Sequence, residues 1–294
     1  MMVRNFIIIA NPLAGSSNAR NILDYIIRYF TIHQIAFKIV FTSKNKFCGL
    51  GTISTILHDY TDIIVLGGDG TINAVVNAIV NQPLPISIIP TGTGNDFVKS
   101  LGIPKDFKQA FDIALHGRSI MVDIGICNDW YFVNGVGIGF DGKVVEYMTN
   151  HSSFWKGHLA YLTTVLKILI TFRESMLTYI INQKAFSEKT FLMTIANGST
   201  FGGGFKITPN AKIDDGLLDV CLVKQIHPIR RLLKLFSLKK GRHGNMKEVE
   251  FMQTSAIRIE SSDILTAHID GEFLGYPPFK IKVVPSKIPF RIKV

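Results

Sequence analysis

Apolar runs alternate with helix-like patterns along the first 120 or so residues of the chain. The expected strands are three short apolar runs, Phe6–Ala10, Ile63–Leu66 and Ile86–Ile89, and a further strand candidate, Ile35–Phe41. The expected helices carry apolar residues three or four positions apart: Ile22, Tyr25, Ile26 and Tyr29; Leu50, Ile53, Ile56 and Leu57; and the segment Asn73–Val80. This βαβαβαβ order predicts a mainly parallel sheet with helices on both faces.

From about Met121 the pattern changes to many short strands with polar turns between them. They are Met121–Cys127, Tyr131–Val136, Leu177–Ile181, Phe191–Ala196, Leu218–Val223, Ala256–Ile259, Ile264–Ile269 and Phe279–Val284. An antiparallel sandwich or barrel-like domain is expected here, with inserted helices at Leu159–Phe172 and Pro228–Leu238. We therefore expect an α/β domain at 1–122 and a β-rich domain at 123–294, with the last strand free to return to the first domain.

Composition favours a protein with acidic partners. The chain has 294 residues, 47% of them hydrophobic, and a formal net charge of +10. Such a charge favours nucleotides, nucleic acid or anionic membranes as partners, although it also simply aids solubility. The three cysteines lack C-x-x-C spacing, which fits a reducing cytosol. The eight histidines form no H-x-x-x-H pair of the kind that binds zinc.

No apolar stretch has the length of a targeting or spanning segment. Phe6–Ile9 is too short for the core of a signal peptide, so a buried first strand is expected. Leu159–Phe172 is shorter than a bilayer span and contains Lys167.

Two glycine-rich turns follow two of the expected strands. Gly67–Asn73 has the sequence GGDGTIN, and Pro90–Phe97 has the sequence PTGTGNDF. Glycines permit close approach to phosphate oxygens, the hydroxyls of Thr71 and Thr93 add donors, and Asp69 and Asp96 are suited to hold a metal ion or its waters. These turns predict a phosphate and Mg²⁺ site, although neither is a Walker A motif.

Parallel strands place their carboxyl-terminal loops at one edge of the sheet. Asn11–Gly15, Thr42-Ser43 and the two glycine-rich turns would therefore meet there, where open α/β sheets bind ligands. A single glycine-rich turn is more often structural, but four polar loops at one edge favour a binding site.

Five motifs occur in an order that resembles the diacylglycerol kinase family of bacterial soluble lipid kinases. They are N-P-x-A-G at Asn11–Gly15, G-G-D-G-T-x-N at Gly67–Asn73, P-x-G-T-x-N-D-F at Pro90–Phe97, D-D-G-x-x-D-V at Asp214–Val220 and D-G-E at Asp270–Glu272. G-G-D-G-T alone would be weak, because NAD kinases and phosphofructokinases have similar sequences. The resemblance spans almost the whole chain.

The resemblance implies an ATP-dependent lipid kinase with an NAD kinase/phosphofructokinase-like α/β domain and a β-rich domain enclosing a cleft. The implied nucleotide contacts are Asn11, Pro12, Leu13, Ala14, Gly15, Thr42, Gly67, Gly68, Asp69, Gly70, Thr71, Ile72, Asn73 and Thr93. It also implies that the D-G-E motif supplies the catalytic acid or base, which falls on Glu272.

A carboxylate that accepts the proton of the attacking lipid hydroxyl suits this chemistry. Glu272 is the expected base, with Asp270 as the alternative. In isolation, Asp270-Gly271 would indicate an ordinary hairpin turn between the strands Ile264–Ile269 and Phe279–Val284.

A second, structural Mg²⁺ is implied by the resemblance at Asp215 with the carbonyl groups of Lys212 and Leu217. The alternative is a plain turn with Asp219 solvated or capping. Asn134–Asp141 resembles a dinucleotide fingerprint with a misplaced third glycine, and a tight turn is expected there instead.

The segment Lys224–Lys247 contains eight Lys or Arg residues and no acid, interleaved with apolar residues such as Leu233 and Phe236. A basic amphipathic helix of this kind predicts docking on an anionic bilayer, while the alternative is a helix packed on its own domain. Leu159–Phe172, with Phe154 and Trp155 nearby, is a second candidate for docking.

The function expected is transfer of the γ-phosphate of Mg·ATP to diacylglycerol or a related lipid alcohol, in phospholipid biosynthesis. Alternatives are an NAD kinase-like small-molecule kinase, although the chain has no Asn-Glu dipeptide, and a non-catalytic binder of anionic membranes. A cytoplasmic, peripherally membrane-associated protein is expected, with a homodimer left open and no nucleic acid partner.

Overall fold

A computed structural model describes residues 4–11, 17–42, 53–151, 158–261 and 265–294. The chain divides into two compact units, which are described separately. Unit 1 comprises Met1–Ile124 and Pro285–Val294, and unit 2 comprises Gly125–Val284.

Unit 1 begins with four strands that pair in parallel in the order β2-β1-β3-β4. The strands are β1 (Asn5–Ala10), β2 (Ala36–Phe41), β3 (Asp62–Gly67) and β4 (Ile86–Pro90). The helices are α1 (Ser17–Ile32), α2 (Asp69–Ile79), α3 (Asp96–Ser100) and α4 (Phe107–His116). Every residue of β3 and β4 is buried, as is usual in a parallel sheet covered on both faces. The predicted α/β architecture is confirmed.

Strand β5 (Arg118–Cys127) leads from unit 1 into unit 2, whose strands pair in antiparallel fashion. They are β6 (Trp130–Phe132), β7 (Gly135–Gly139), β8 (Ser175–Ile181), β9 (Lys184–Ala196), β10 (Leu218–Lys224), β11 (Val249–Thr254), β12 (Ala256–Ile259), β13 (Ala267–Ile269) and β14 (Glu272–Gly275). The helices are α5 (Phe140–Asn150), α6 (His158–Thr171) and α7 (Pro228–Lys239).

The long strand β9 organises unit 2, because it pairs with β7, β8 and β10. Apolar side chains from these strands form a common core that includes Val136, Leu177, Met193 and Val220. The last strand, β15 (Phe279–Ile292), begins in unit 2, where it pairs with β12, and ends in unit 1, where Phe290 pairs in parallel with Ile86. The predicted β-rich, sandwich-like second part is confirmed.

Three local predictions were wrong. The predicted helix around Ile53 is two short 3₁₀ turns, Ile53–Thr55 and Leu57–Asp59, while Leu50 lies outside the described residues. The predicted strand Tyr131–Val136 is interrupted between β6 and β7. The predicted tight turn at Asn134–Asp141 is instead strand β7 followed by the start of α5. Gly135 and Gly137 leave room for packing across the sheet, while Gly139, with a φ of 96°, is where the chain leaves β7 for α5.

Among the described helices, none is both long and apolar enough to cross a membrane.

Candidate active site

In unit 1, the described residues that follow the parallel strands lie at one edge of the sheet, as the strand order predicts. Successive loops are tied to neighbouring strands by backbone hydrogen bonds of 3.0 to 3.2 Å: Thr42 N–H to the Ala10 carbonyl, Asn11 N–H to Leu66, and Thr91 N–H to Gly67. The predicted nucleotide contacts Pro12, Leu13, Ala14 and Gly15 lie outside the described residues.

The two glycine-rich turns touch each other through their backbones. A Cβ atom on Gly92 would lie 2.6 Å from the Cα of Gly68, and a Cβ atom on Gly68 would lie 2.9 Å from the Cα of Gly92. Both distances are far below van der Waals contact, so any larger residue would force the turns apart. The close approach of the two turns therefore requires glycine at both positions.

Asp69 joins the two turns. Its Oδ2 accepts the Asp96 N–H at 3.0 Å and its Oδ1 accepts the Phe97 N–H at 3.0 Å, at the start of α3. Burial raises the pKa of Asp69 above its usual value; the two backbone donors lower it in part, and the charge of Asp96 raises it again. Asp96 accepts a hydrogen bond of 2.7 Å from the Lys99 ammonium.

The carboxylates of Asp69 and Asp96 both lie beside Gly94. A Cβ atom on Gly94 would lie 3.1 Å from Oδ2 of Asp69 and 3.6 Å from Oδ2 of Asp96. Within the described ranges, however, no group of three or more His, Cys, Asp or Glu side chains is arranged to hold a metal ion.

Buried oxygen atoms without hydrogen-bond partners lie on these loops. Thr42 Oγ1, Thr91 Oγ1 and Asn95 Oδ1 have no partner among the described residues. Thr91 and Asn95 also line a cavity of about 400 Å³, together with Lys105 and Phe107. A buried polar group without a partner is uncommon, and a bound ligand is one explanation for it. The sequence motifs did not indicate Lys105 or Phe107, because both lie beyond the second glycine-rich turn.

The remaining residues that were predicted to contact the nucleotide lie in the first turns of helix α2 or near it. Thr71, Ile72 and Asn73 are buried, with Ile72 fully so, and Gly67 makes room for Thr71, since a Cβ atom there would lie 2.6 Å from the Thr71 Cβ. Any contact of Ile72 with a nucleotide would therefore be through its main chain. Thr93, by contrast, is exposed.

In unit 2, the D-G-E motif forms the tip of a hairpin between β13 and β14, with Ile269 opposite Glu272. Asp270 and Gly271 both have positive φ, 47° and 84°, which matches a tight two-residue hairpin turn. The alternative of an ordinary hairpin placed the strand beginning at Phe279 opposite β13, whereas the short strand β14 takes that place.

The carboxylate of Asp270 accepts hydrogen bonds from three backbone N–H groups. Its Oδ2 accepts the Val133 N–H at 2.8 Å, and its Oδ1 accepts the N–H groups of Asn134 and Gly135 at 3.0 and 2.8 Å. Glu272, the first residue of β14, is exposed. The two acids of the motif thus differ in environment, which the sequence did not reveal.

The predicted structural metal residues lie in the turn before β10. Lys212 and Asp215 are exposed, Leu217 is half-buried, and Asp215 Oδ1 accepts the Leu217 N–H at 3.1 Å. Asp219, at the start of β10, lies within 3.4 and 3.5 Å of the Gln253 amide nitrogen, and burial raises its pKa.

Helix α7 presents apolar side chains outward. Ile229, Leu233 and Phe236 are 63%, 71% and 74% exposed, and Leu232 is also exposed. Arg231 on another face is buried, with its guanidinium 2.6 Å from Glu174 and bonded to the carbonyl groups of three residues: Leu169, Phe172 and Ile226.

Comparison with solved structures identifies the fold. A diacylglycerol kinase from Bacillus anthracis superposes with a TM-score of 0.76 at 22% identity, covering 100% of this chain and 98% of that one. Yeast NADH kinase complexed with NADH superposes with a TM-score of 0.57 at 12% identity, covering 99% and 84%. The fold is therefore shared by diacylglycerol kinases and, more distantly, by a kinase of dinucleotides.

Sequence comparison defines the class as a lipid kinase. Residues 5–127 match the diacylglycerol kinase catalytic domain, and residues 134–291 match the YegS C-terminal NAD kinase beta sandwich-like domain. The diacylglycerol kinase of Staphylococcus carnosus (strain TM300) is 29% identical over 280 residues, 92% of this chain and 89% of that protein. That of Staphylococcus aureus (strain JH9) is 30% identical over 230 residues, 76% and 71%. This chain belongs to the diacylglycerol kinase family, and as a kinase of that family it uses ATP.

Proposed function

We propose that the protein transfers the γ-phosphate of ATP to the hydroxyl of diacylglycerol or a related lipid, giving phosphatidic acid or an analogous lipid phosphate. The observation that carries this proposal is the contact between Gly68 and Gly92, which joins two phosphate-type turns at the carboxyl edge of the parallel sheet. Family membership supports the lipid hydroxyl as acceptor.

The nucleotide binds to the loops of unit 1. Backbone N–H groups of the glycine-rich turns and the hydroxyls of Thr42 and Thr91 face the phosphates, because these hydroxyls are buried without a partner among the described residues. The cavity lined by Lys105 and Phe107 has room for part of the nucleoside. Lys99 and Lys105 add positive charge near the phosphates.

The pair Asp69 and Asp96 fits a divalent ion carried by the nucleotide. Two carboxylates beside one glycine, one of them with its pKa raised by burial and by its neighbour, favour a cation between or near them. Mg²⁺ would neutralise charge on the transferred phosphate. Since both oxygens of Asp69 already accept backbone N–H groups, its part is to fix the second turn and to contribute negative charge.

Glu272 accepts the proton of the lipid hydroxyl as the new bond to phosphorus forms. Its carboxylate is exposed at the end of a short hairpin, whereas that of Asp270 is occupied by three backbone N–H groups. A carboxylate that already accepts three hydrogen bonds is a poor base, because those bonds favour its charged form. Asp270 therefore positions Glu272.

Transfer of radiolabelled phosphate from ATP to lipid in mixed micelles tests this function. Diacylglycerol, phosphatidylglycerol and sphingoid bases serve as acceptors, with NAD as the acceptor for an NAD kinase-like activity. Labelled lipid phosphate that is lost in Glu272→Gln supports the proposal. Labelling of NAD alone, or of no acceptor, refutes it.

A structural Mg²⁺ at Asp215 with the carbonyl groups of Lys212 and Leu217 remains a prediction. Asp215 Oδ1 bonds the Leu217 N–H, which leaves Oδ2 for a cation. Mg²⁺ should raise the melting temperature of the protein without nucleotide, and Asp215→Asn should abolish that increase. An equal increase in the variant excludes this site.

We propose that helix α7 docks the protein on an anionic membrane. The bonds of Arg231 to main-chain carbonyls and to Glu174 fix the rotation of the helix, so its apolar stripe of Ile229, Leu232, Leu233 and Phe236 faces outward. Four cationic side chains lie on the helix or in the segment that follows it, and none has a carboxylate partner in the described part of the chain: Lys234, Lys240, Arg242 and Lys247. Exposed apolar residues flanked by cations match an anionic lipid surface.

Sedimentation with phosphatidylglycerol vesicles, without ATP, tests this surface. Leu233→Ser with Phe236→Ser should weaken binding at least about tenfold, because burial of such a side chain contributes about 1.5–3 kcal/mol. Ile32→Ser is the matched control, since Ile32 is 76% exposed on α1. Equal losses in both variants, or equal binding to neutral phosphatidylcholine vesicles, refute the docking surface. A cytoplasmic location and a homodimer stay predictions.

A further inference from the structure

A histidine of unit 2 lies in the first strand of the hairpin that carries Glu272. His268 in β13, Gly137 in β7 and Thr194 in β9 stand opposite one another on three neighbouring strands. The missing side chain of Gly137 leaves a gap in this row. A Cβ atom on Gly137 would lie 2.1 Å from Oδ2 of Asp141 and 2.4 Å from Nε2 of His268. The Asp141 carboxylate therefore occupies the space above the glycine, between the side chains of its two neighbours.

Contacts with three residues fix the position of the Asp141 carboxylate. Its Oδ1 accepts the Gly142 N–H at 2.9 Å, and its Oδ2 lies 3.5 Å from the Thr194 hydroxyl and 3.6 Å from Nε2 of His268. His268 has a side chain only 9% exposed, so its ring has little freedom to reorient. The geometry thus places an acceptor at the Nε2 side of the ring.

The other ring nitrogen faces the turn. The Gly271 N–H lies 3.3 Å from Nδ1 of His268 and donates to it. A nitrogen that accepts a hydrogen bond carries no proton, so the proton of the neutral ring is on Nε2, toward Asp141. Asp270 holds the turn from its other side through Val133, Asn134 and Gly135. The tip of the hairpin is therefore fixed by one carboxylate and one imidazole.

We propose that His268 is a positioning residue for Glu272, which it serves by accepting the Gly271 N–H in the tautomer that Asp141 selects. The proposal rests on the proposed function, in which Glu272 is the base. It makes the reaction depend on the protonation of a residue that touches neither substrate.

Protonation of His268 removes the acceptor from the turn. The imidazolium has an N–H at Nδ1 as well, which would face the N–H of Gly271, while its second N–H is drawn to Asp141. The Gly271 N–H would then lose its acceptor, the turn would no longer be held from this side, and the carboxylate of Glu272 would lose its placement. Activity should therefore fall when His268 becomes protonated.

The charged groups near His268 come from more than one element. Asp141 faces it from α5, and Asp270 and Glu272 follow it in the same β13–β14 hairpin. Elsewhere on α5, Lys143 pairs with Glu146, which also accepts the Tyr276 hydroxyl at 3.0 Å. Strand β9 contributes the neutral Thr194.

The pair His268→Asn and His268→Gln separates positioning from simple structural support. An asparagine side chain can place its carbonyl oxygen near the position of Nδ1 and does not titrate, whereas a glutamine reaches further, to the position of Nε2. His116→Asn is the control, because the His116 side chain is 69% exposed on α4 of unit 1. Melting temperatures identify any variant that fails to fold.

The assay is kcat at saturating ATP and lipid from about pH 5.5 to about pH 8.5. We expect an acid limb in the original protein and in His116→Asn that is absent or much reduced in His268→Asn. His268→Asn should retain kcat within about threefold near pH 8, while His268→Gln loses about tenfold with the KM for ATP unchanged. An acid limb of the same size in His268→Asn overturns the proposal, as does equal kcat in both variants.

An NMR measurement separates failure of this inference from failure of the proposed function. The Gly271 amide resonance should shift with the same midpoint as the His268 ring in the protein without ligands, and this shift should vanish in His268→Asn. That result would support the hydrogen bond even if no lipid were phosphorylated. A Gly271 resonance that is unaffected by the titration of His268 overturns the inference whatever the kinase assay shows.

Discussion

Separate replacement of Asp270 and Glu272 distinguishes the two acids of the D-G-E motif. Asp270→Asn removes one acceptor oxygen and the negative charge from a group that accepts three backbone N–H bonds of 2.8 to 3.0 Å. A hydrogen bond to a charged group is worth about 1.5–3 kcal/mol, so the loss of one bond and the weakening of two should cost about 3 kcal/mol of unfolding free energy. For a unit of this size, that loss lowers the melting temperature by about 6–12 °C.

Glu272→Gln should behave in the opposite way. Glu272 is exposed, so an isosteric amide should change the unfolding free energy by no more than about 0.5 kcal/mol. Without a base, kcat should fall at least about a hundredfold.

Thermal melting and ATP-to-lipid transfer are measured on both variants, with Asp129→Asn as a control at an exposed turn position. The reasoning fails if Asp270→Asn melts at the original temperature, because the three bonds then contribute nothing. It also fails if Glu272→Gln keeps most of its activity, because another group must then accept the proton.

Three further predictions concern other parts of the molecule. Gly92→Ala should raise the KM for ATP at least about tenfold while far-UV circular dichroism is unchanged, because the added methyl group separates the two turns; an unchanged KM would contradict the contact. Arg231→Met should lower the unfolding free energy in urea by about 3–5 kcal/mol, since it leaves the buried carboxylate of Glu174 without its cationic partner, whereas Arg258→Met at an exposed pair should cost at most about 1 kcal/mol. Burial lowers the pKa of His243 and its bond to a main-chain carbonyl only partly opposes this, so the unfolded chain binds more protons and stability should fall as the pH drops below about 7. Urea titrations at about pH 7.5 and 5.5 should show a smaller loss in His243→Gln, and an equal loss would exclude His243 as the cause.

The parallel part of the fold was predictable chiefly because its central strands β1 and β3 carry continuous apolar runs. Phe6–Ala10 and Ile63–Leu66 are buried on both faces, and such strands are visible in sequence without knowledge of their partners. The edge where their loops meet follows from strand direction alone. The glycine-rich turns were therefore placed correctly at one edge before any contact was known.

Strand β7 was missed because its glycines were interpreted as turn formers. Gly137 is a glycine because the Asp141 carboxylate and the His268 ring occupy the space of its side chain, and both groups come from other elements. A requirement of this kind depends on tertiary packing and has no local signal. The cavity residues Lys105 and Phe107 were missed for a similar reason, because the loop that carries them has no motif.

From the sequence, Asp270 could be identified only as one of two acids that could serve as the base. Its three partners, Val133, Asn134 and Gly135, lie more than a hundred residues away and contribute only backbone N–H groups. Backbone donors carry no signature in the amino-acid sequence. Whether Asp270 acts as the base or fixes the backbone could therefore be decided only from the hydrogen bonds in the structure.

Asp69 and Asp270, each in one of the sequence motifs, share one structural task. Asp69 accepts the N–H groups of Asp96 and Phe97, and Asp270 accepts those of Val133 to Gly135, so each fixes a loop that is distant in sequence. Loss of activity on replacing either aspartate is consequently no proof that it touches substrate, because a displaced loop would have the same effect. Only a variant that loses activity without loss of stability identifies a catalytic group. By that criterion, replacement of Glu272 is the decisive test of which acid in the D-G-E motif is catalytic. Its side chain is exposed, and its replacement leaves the hydrogen bonds of Asp270 in place.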